Sequence, residues 1–222
     1  TGQAVTDEVL ADDKFGVEGK FIRLERSVLM YQWVEHKKTR TEKKVGGGKR
    51  KEVTYTYKRE WKDKLIDSSR FKKPEGHRNP ERMPFRDKSI MAREVKLGAY
   101  ELSSGLVSQI KGEQRLRLTR ENWQKMSRKF KDNLQLIEES DMYYDGRSPN
   151  EPEVGDIKVY FRKVEPAVVS IVAQQDGAKL TGYKTKAGDT LLMLEMGKHS
   201  AKAMFKKAVE RNKSMTWILR FV

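Results

Sequence analysis

The sequence predicts an α+β fold, a largely antiparallel β-sheet with a long basic-tipped hairpin and three packed helices. Residues 21–40 and 50–63 alternate apolar with polar side chains and are rich in β-branched and aromatic types, as pleated strands are. Between them, Gly46-Gly47-Gly48 sits inside a run of Lys and Arg, too glycine-rich and too charged to pack, so it is expected to be the solvated tip joining the two strands. Near 102–110, 120–134 and 200–213 the apolar spacing changes from two towards the helical period.

In the first strand "VLMYQW", Val28 to Trp33, is apolar on both faces, which marks a central or covered strand. The second places Val53, Tyr55, Tyr57, Arg59 and Trp61 on one face and Thr54, Thr56, Lys58 and Glu60 on the other. Aromatics interleaved with cations suit either a base-stacking platform or a packed hairpin face, and the doubly apolar partner strand favours packing. Pro74, Pro80 and Pro84 in "DSSRFKKPEGHRNPERMPF", 67–85, forbid regular structure and predict a long ordered loop or a crossing between layers.

"LSSGLVSQI" spaces Leu102, Leu106, Val107 and Ile110 as a short helix would. Thr119 can cap a longer helix whose inner face is Trp123, Met126, Phe130 and Leu134. From Asp156 strands return in "DIKVYFRKV", "AVVSIVAQQ" and "AKLTGY", the last two joined by the hairpin signal Asp176-Gly177, and then in "TLLMLEM". Ser200 caps a helix with the stripe Ala201, Met204, Phe205, Ala208 and Val209. The closing "MTWILRFV" is apolar, and two readings fit it: the start of a membrane segment after a basic amphipathic helix, or a terminal strand or helix tucked into the core.

With 222 residues the chain is long enough for a sizeable core, and a single domain over 1–222 is expected. A likeness between the β-rich parts 20–63 and 156–196 raises the alternative of two lobes, about 1–110 and 111–222. Cysteine is absent, which excludes disulfides, thiolate metal sites and a cysteine nucleophile. The excess of 47 Lys and Arg over 32 Asp and Glu favours anionic partners. That charge is polarised: residues 37–51 carry eight cations against Glu42, whereas 138–156 is acidic.

No catalytic constellation is recognisable. His36, His77 and His199 have no partner at metal-ligand spacing, Ser103-Ser104-Gly105 lacks the nucleophile-elbow form, and "GGGKRK" lacks the phosphate-loop spacing. No cofactor and no metal are expected. Asn79-Pro80, Gly155-Asp156 and Gly188-Asp189 all read as turn chemistry.

"MYQWVEH", "TYTYKREWKDKLIDSSRF", "GHRNP", "LSSGL", "PEVGDIKVYF", "TKAGDTLLMLEMGKHSAKAMF" and "RNKSMTW", in that order, resemble the large hydrophilic domain of the transmembrane protein 43 (LUMA) family. The resemblance runs from about Asp12 to Trp217, and the motif residues within it include Trp33, Trp61, His77, Asn79, Pro80, Gly155, Asp156, Gly188 and Asp189. It implies a domain flanked by membrane helices outside this chain, lying on the extracytoplasmic side in bacteria and the lumenal side in eukaryotes. Eukaryotic members are associated with the inner nuclear membrane, the endoplasmic reticulum, emerin and lamins. The basic hairpin tip and the Lys-rich 111–133 segment depart from the eukaryotic pattern, and the chain is read as a bacterial member, which has neither partner. The family supplies no catalytic residues.

The expected function is therefore a non-catalytic organising domain beside a membrane, touching anionic lipid or so far unidentified protein partners. Lys202, Lys206, Lys207, Arg211 and Trp217 at the membrane end, with Lys49, Arg50 and Lys51 at the hairpin tip, are the candidate contacts. The alternative is an enzyme acting on envelope lipid or glycan, with a site near His77, Asn79, Asp156 or Asp189. Nucleic-acid binding ranks last, since an extracytoplasmic domain ordinarily meets none.

Overall fold

The computed structural model describes residues 1–43, 49–186 and 188–219, with Lys43 and 211–219 described by their backbone alone. The glycine tip therefore lies outside the described residues. The strand Arg23–Lys43 is 21 residues long and organises the fold. Its outer half pairs with Lys49–Lys62 in an antiparallel register from Met30↔Lys62 to Lys43↔Lys49. Its inner half is flanked by Ile157–Val164 on one edge and by Lys88–Met91 on the other. The inner face of this two-sided strand is buried at Leu24, Arg26, Val28, Met30 and Gln32, with the residues between them half-buried. Its neutral polar member, Gln32, is satisfied, donating to Lys64 C=O at 3.0 Å and accepting from Ile66 N–H at 2.9 Å.

This sheet runs Gln135–Ile137, Met142–Asp145, Ile157–Val164, Arg23–Lys43, Lys49–Lys62, with Gln114–Arg115 also beside Ile157–Val164. A second sheet runs Gln174–Asp176, Lys179–Thr181, Tyr100–Leu102, Lys96–Leu97, Gly2–Val5, Ala167–Val172, Met193–Met196. Every pairing is antiparallel except that of Lys179–Thr181 with Tyr100–Leu102. Both sheets draw strands from before and after residue 110, so the division between sheets does not follow the division of the sequence.

Residues of both sheets share one core cluster. Its aromatic centre is Phe15, 5.3 Å from Phe85, 5.9 Å from Phe130, 6.1 Å from Tyr143 and 5.8 Å from Phe161. The Arg26 guanidinium lies over the same ring and is held by Asp12 Oδ2 at 2.5 Å and Arg86 C=O at 2.9 Å. Two buried charges are tolerable there because each is paired and the guanidinium is further hydrogen-bonded.

The helices differ from the spacing-based expectation. Helix is confined to Ser104–Val107 within 102–110, although Leu102, Leu106, Val107 and Ile110 are all buried as the spacing implies. The expected 120–134 helix is two pieces, Arg120–Lys125 and Arg128–Lys131. Thr119 does cap the first, in a capping box with Asn122. The break falls where Met126 turns extended, buries its side chain, and Ser127 N–H donates to Lys14 C=O instead of continuing the helical ladder. Ser200 Oγ accepts from Ala203 N–H at the head of Ala201–Leu219, which runs on as helix through "SMTWIL". Of its apolar stripe only Met204 is buried, while Phe205 is 44% and Val209 52% exposed. "TLLMLEM" is divided at Leu192, its first part pairing with Tyr183–Lys184 and its second with Ala167–Val172.

Candidate functional site

Beyond Tyr31 the long strand outruns Ile157–Val164, and its backbone needs other partners on that edge. The turn before Ile157–Val164 supplies the first: Gly155 N–H donates to Tyr31 C=O and Tyr31 N–H to Asp156 C=O, each at 2.9 Å. Gly155 has φ +106, a backbone conformation that favours glycine, and lies beside Pro80. Asn79 supplies the next. Its Oδ1 accepts from Trp33 N–H at 2.7 Å, and its Nδ2 donates to Trp33 C=O at 2.9 Å and Ile66 C=O at 3.2 Å. At Trp33 the proline-rich loop is thus stitched to the sheet edge by a side-chain amide.

His77 lies one step further out. Its ring stacks on Tyr57 at 3.9 Å and stands edge-on to Trp33 at 4.8 Å, and Nδ1 donates to Lys73 C=O at 3.0 Å. Tyr57 donates its hydroxyl to Glu35 Oε2 at 2.8 Å and accepts from Lys73 N–H at 2.9 Å. Burial, then the hydrogen bond to Glu35, push the Tyr57 pKa up, so the phenol stays a neutral donor. Trp61 packs 5.2 Å from Tyr31 and 6.3 Å from Tyr144, with Lys158 Nζ 4.0 Å above its ring. Tyr144 donates to Asp156 Oδ2 at 2.5 Å, and burial followed by this carboxylate raises its pKa. Burial, with Asp156 adding to it, also raises the pKa of neighbouring Asp145.

Seven of the sequence-selected residues, Trp33, Trp61, His77, Asn79, Pro80, Gly155 and Asp156, therefore meet at the root of the hairpin. Gly188 and Asp189 do not. They form a turn between Tyr183–Lys184 and Thr190–Leu191, in which Thr185 N–H donates to Asp189 C=O and Gly188 N–H to Thr185 C=O. His77 and Asp156 hydrogen-bond to backbone and to Tyr144, and neither groove beside the root, one between residues 65–69 and 74–81 and the other lined by Val53, Tyr57 and His77, gathers His77 with Asp156 or Asp189. Nor does any group of His, Asp and Glu there suit a metal ion.

Two grooves flank the root. One of about 630 Å³ runs between Leu65–Ser69 and Pro74–Glu81. The other, about 470 Å³, lies between Val53, Tyr55 and Tyr57 on the hairpin and Lys72, Lys73 and His77 on the loop. The aromatic stripe is thus half-buried at Tyr55, Tyr57 and Trp61 and open at Val53. Glu35, Tyr31 and Tyr144 escaped sequence reasoning, since their roles rest on contacts from 12 residues away along the chain, Tyr144 to Asp156, to 125 away, Tyr31 to Asp156.

Among the cationic candidates, Lys49, Arg50 and Lys51 are exposed on the hairpin arm. Lys202 and Lys206 are exposed on the last helix and make no ion pair among the described residues. Lys207 is paired with Glu195 at 2.6 Å. The side chains of Arg211 and Trp217 lie outside the described residues.

No solved structure matches the chain. Among known proteins it is 35% identical to Transmembrane protein 43 of Homo sapiens over 230 residues, 99% of this chain and 55% of that protein. The Mus musculus protein of the same name is 34% identical over the same span, again 99% of this chain and 55% of that protein. Transmembrane protein 43 homolog of Drosophila melanogaster is 29% identical over 226 residues, 100% of this chain and 57% of that protein. The chain spans about half the length of the curated relatives it matches. No helix among the described residues is long and apolar enough to cross a membrane. The family model described as Transmembrane protein 43 matches residues 30–222, which takes in the whole hairpin and its root, and the chain belongs to the Transmembrane protein 43 family.

Proposed function

We propose that this chain is a non-catalytic organising domain of an integral membrane protein, held beside the bilayer on its extracytoplasmic or lumenal side. The observation that carries the reading is the start of the helix Ala201–Leu219. There Phe205 and Val209 are 44% and 52% exposed, one helical turn apart, beside the exposed Lys202 and Lys206, which make no ion pair among the described residues. Apolar side chains flanked by free cations are what an interfacial helix presents to anionic headgroups. Each such lysine contributes about 1 kcal/mol near an anionic surface. The hairpin arm, with Lys49, Arg50 and Lys51, projects from the other sheet and serves protein partners.

Co-sedimentation with vesicles containing phosphatidylserine, across a salt series, tests this. Binding should require the anionic lipid, weaken as salt rises, and drop about tenfold or more in Lys202→Glu/Lys206→Glu. Binding indifferent to lipid charge and salt would overturn it.

A further inference from the structure

The hairpin arm has an unfinished edge. Lys49–Lys62 pairs with Arg23–Lys43 alone, and among the described residues no backbone hydrogen bond crosses its outer side. The direction of its free groups follows from Asn79. Because the Trp33 N–H and C=O are taken on the side away from the hairpin, Trp33↔Arg59 is a non-hydrogen-bonded pair. Arg59 therefore directs its own N–H and C=O outward. By the two-residue period so do Tyr57, Tyr55, Val53, Lys51 and Lys49.

The same period sorts the side chains. Outward of His36, the face carrying Tyr55 and Val53 holds Lys37, Lys49 and Lys51 and no acidic residue, while Glu42 and Glu52 fall on the opposite face. Val53 is 37% exposed, and the groove beside it is walled by the exposed Lys72 and Lys73.

We propose that this edge docks an extended acidic segment of a partner protein, added as a further strand to Lys49–Lys62. The proposal rests on the organising role above and names the chemistry of its partner. A lipid headgroup could meet the lysines, but it offers no alternating ladder of donors and acceptors to match the edge; an extended peptide does. Lysines along an edge repel basic strands and lose hydration when a neutral strand covers them, and so guard against aggregation. The same charges admit a strand carrying Glu or Asp, so one device excludes the wrong strand and selects the right one.

The test uses the whole chain and a fluorescein-labelled nine-residue peptide alternating Glu with Thr and Val, read by anisotropy. Binding should weaken with salt and fall about tenfold when alternate peptide amides are N-methylated, which blocks the ladder but keeps the charge. Val53→Pro removes one outward N–H while leaving the hairpin's internal pairs, and should weaken binding similarly with an unchanged thermal midpoint. Lys49→Glu/Lys51→Glu should abolish binding, whereas Arg50→Glu, on the other face, should weaken it less. Equal binding of the N-methylated peptide, or no peptide binding, overturns the proposal. The N-methylation arm needs no variant, so it stands even if Val53→Pro fails to fold. Vesicle binding measured on the same proteins separates the two readings: peptide binding absent with vesicle binding intact removes the docking edge alone, and the converse removes the membrane contact alone.

Discussion

The side-chain amide of Asn79 faces the backbone of Trp33 as a strand residue would, accepting from its N–H at 2.7 Å and donating to its C=O at 2.9 Å. Asn79 thus gives the loop between Lys62 and Lys88 a strand-like place on the sheet edge, beside its other bonds to Gln32 and Tyr57. Asn79→Ala should cost about 1–3 kcal/mol, because it strands a half-buried donor and acceptor. Asn79→Asp should do little better, since it loses the donor to Trp33 C=O and Ile66 C=O and sets a carboxylate against both. Urea denaturation of the two variants checks this.

Asp12 and Arg26 form a buried pair, with side chains 3% and 9% exposed. Asp12→Ala leaves the guanidinium buried without its counter-charge and should destabilise by about 3–5 kcal/mol. The double substitution Asp12→Leu/Arg26→Met should recover most of that loss in the same denaturation assay, because the cost lies in the orphaned charge and not in the missing pair.

Two glycines with positive φ should respond differently to alanine. At Gly16 a Cβ would fall 2.2 Å from Asn122 O and 2.6 Å from Met126 N, both backbone, whereas at Gly177 nothing lies within 4 Å. Gly177→Ala should cost only the left-handed backbone penalty, about 1–2 kcal/mol. Gly16→Ala should cost about 3 kcal/mol or more, or prevent folding, since the backbone at the C-terminal end of Arg120–Lys125 would have to move. Thermal melts of both variants decide it.

Asp145 has its pKa raised, by burial first and then by Asp156. A carboxyl with a raised folded-state pKa destabilises the fold when charged, and the penalty disappears as pH falls through that folded value towards the unfolded one. Asp145→Asn should therefore raise the melting temperature at pH 7 and give a shrinking advantage as the pH drops below the folded-state value. A melting series from pH 7 to pH 3 measures the difference.

Much of the strand framework was legible in the sequence. The doubly apolar "VLMYQW" became the central strand, Asp176-Gly177 the hairpin turn, and Thr119 and Ser200 the caps, because each depends on neighbours only a few residues away. The length of the 120–134 helix was not legible. Its apolar spacing is satisfied equally by one helix or by two short pieces, and a long-range bond from Ser127 to Lys14 selects the second.

The sequence by itself determined the long basic hairpin, the strand-rich framework and the family, since alternation, turn chemistry and ordered motifs are local records. Tertiary structure alone decided that Trp33, His77, Asn79 and Asp156 share one root while Asp189 stands apart. It also decided that, among the described residues, the arm keeps one edge open. Both depend on which strand runs out of partners first, and strand pairing at long sequence separation is set by how the two sheets close on a common core and not by the residues along any one strand.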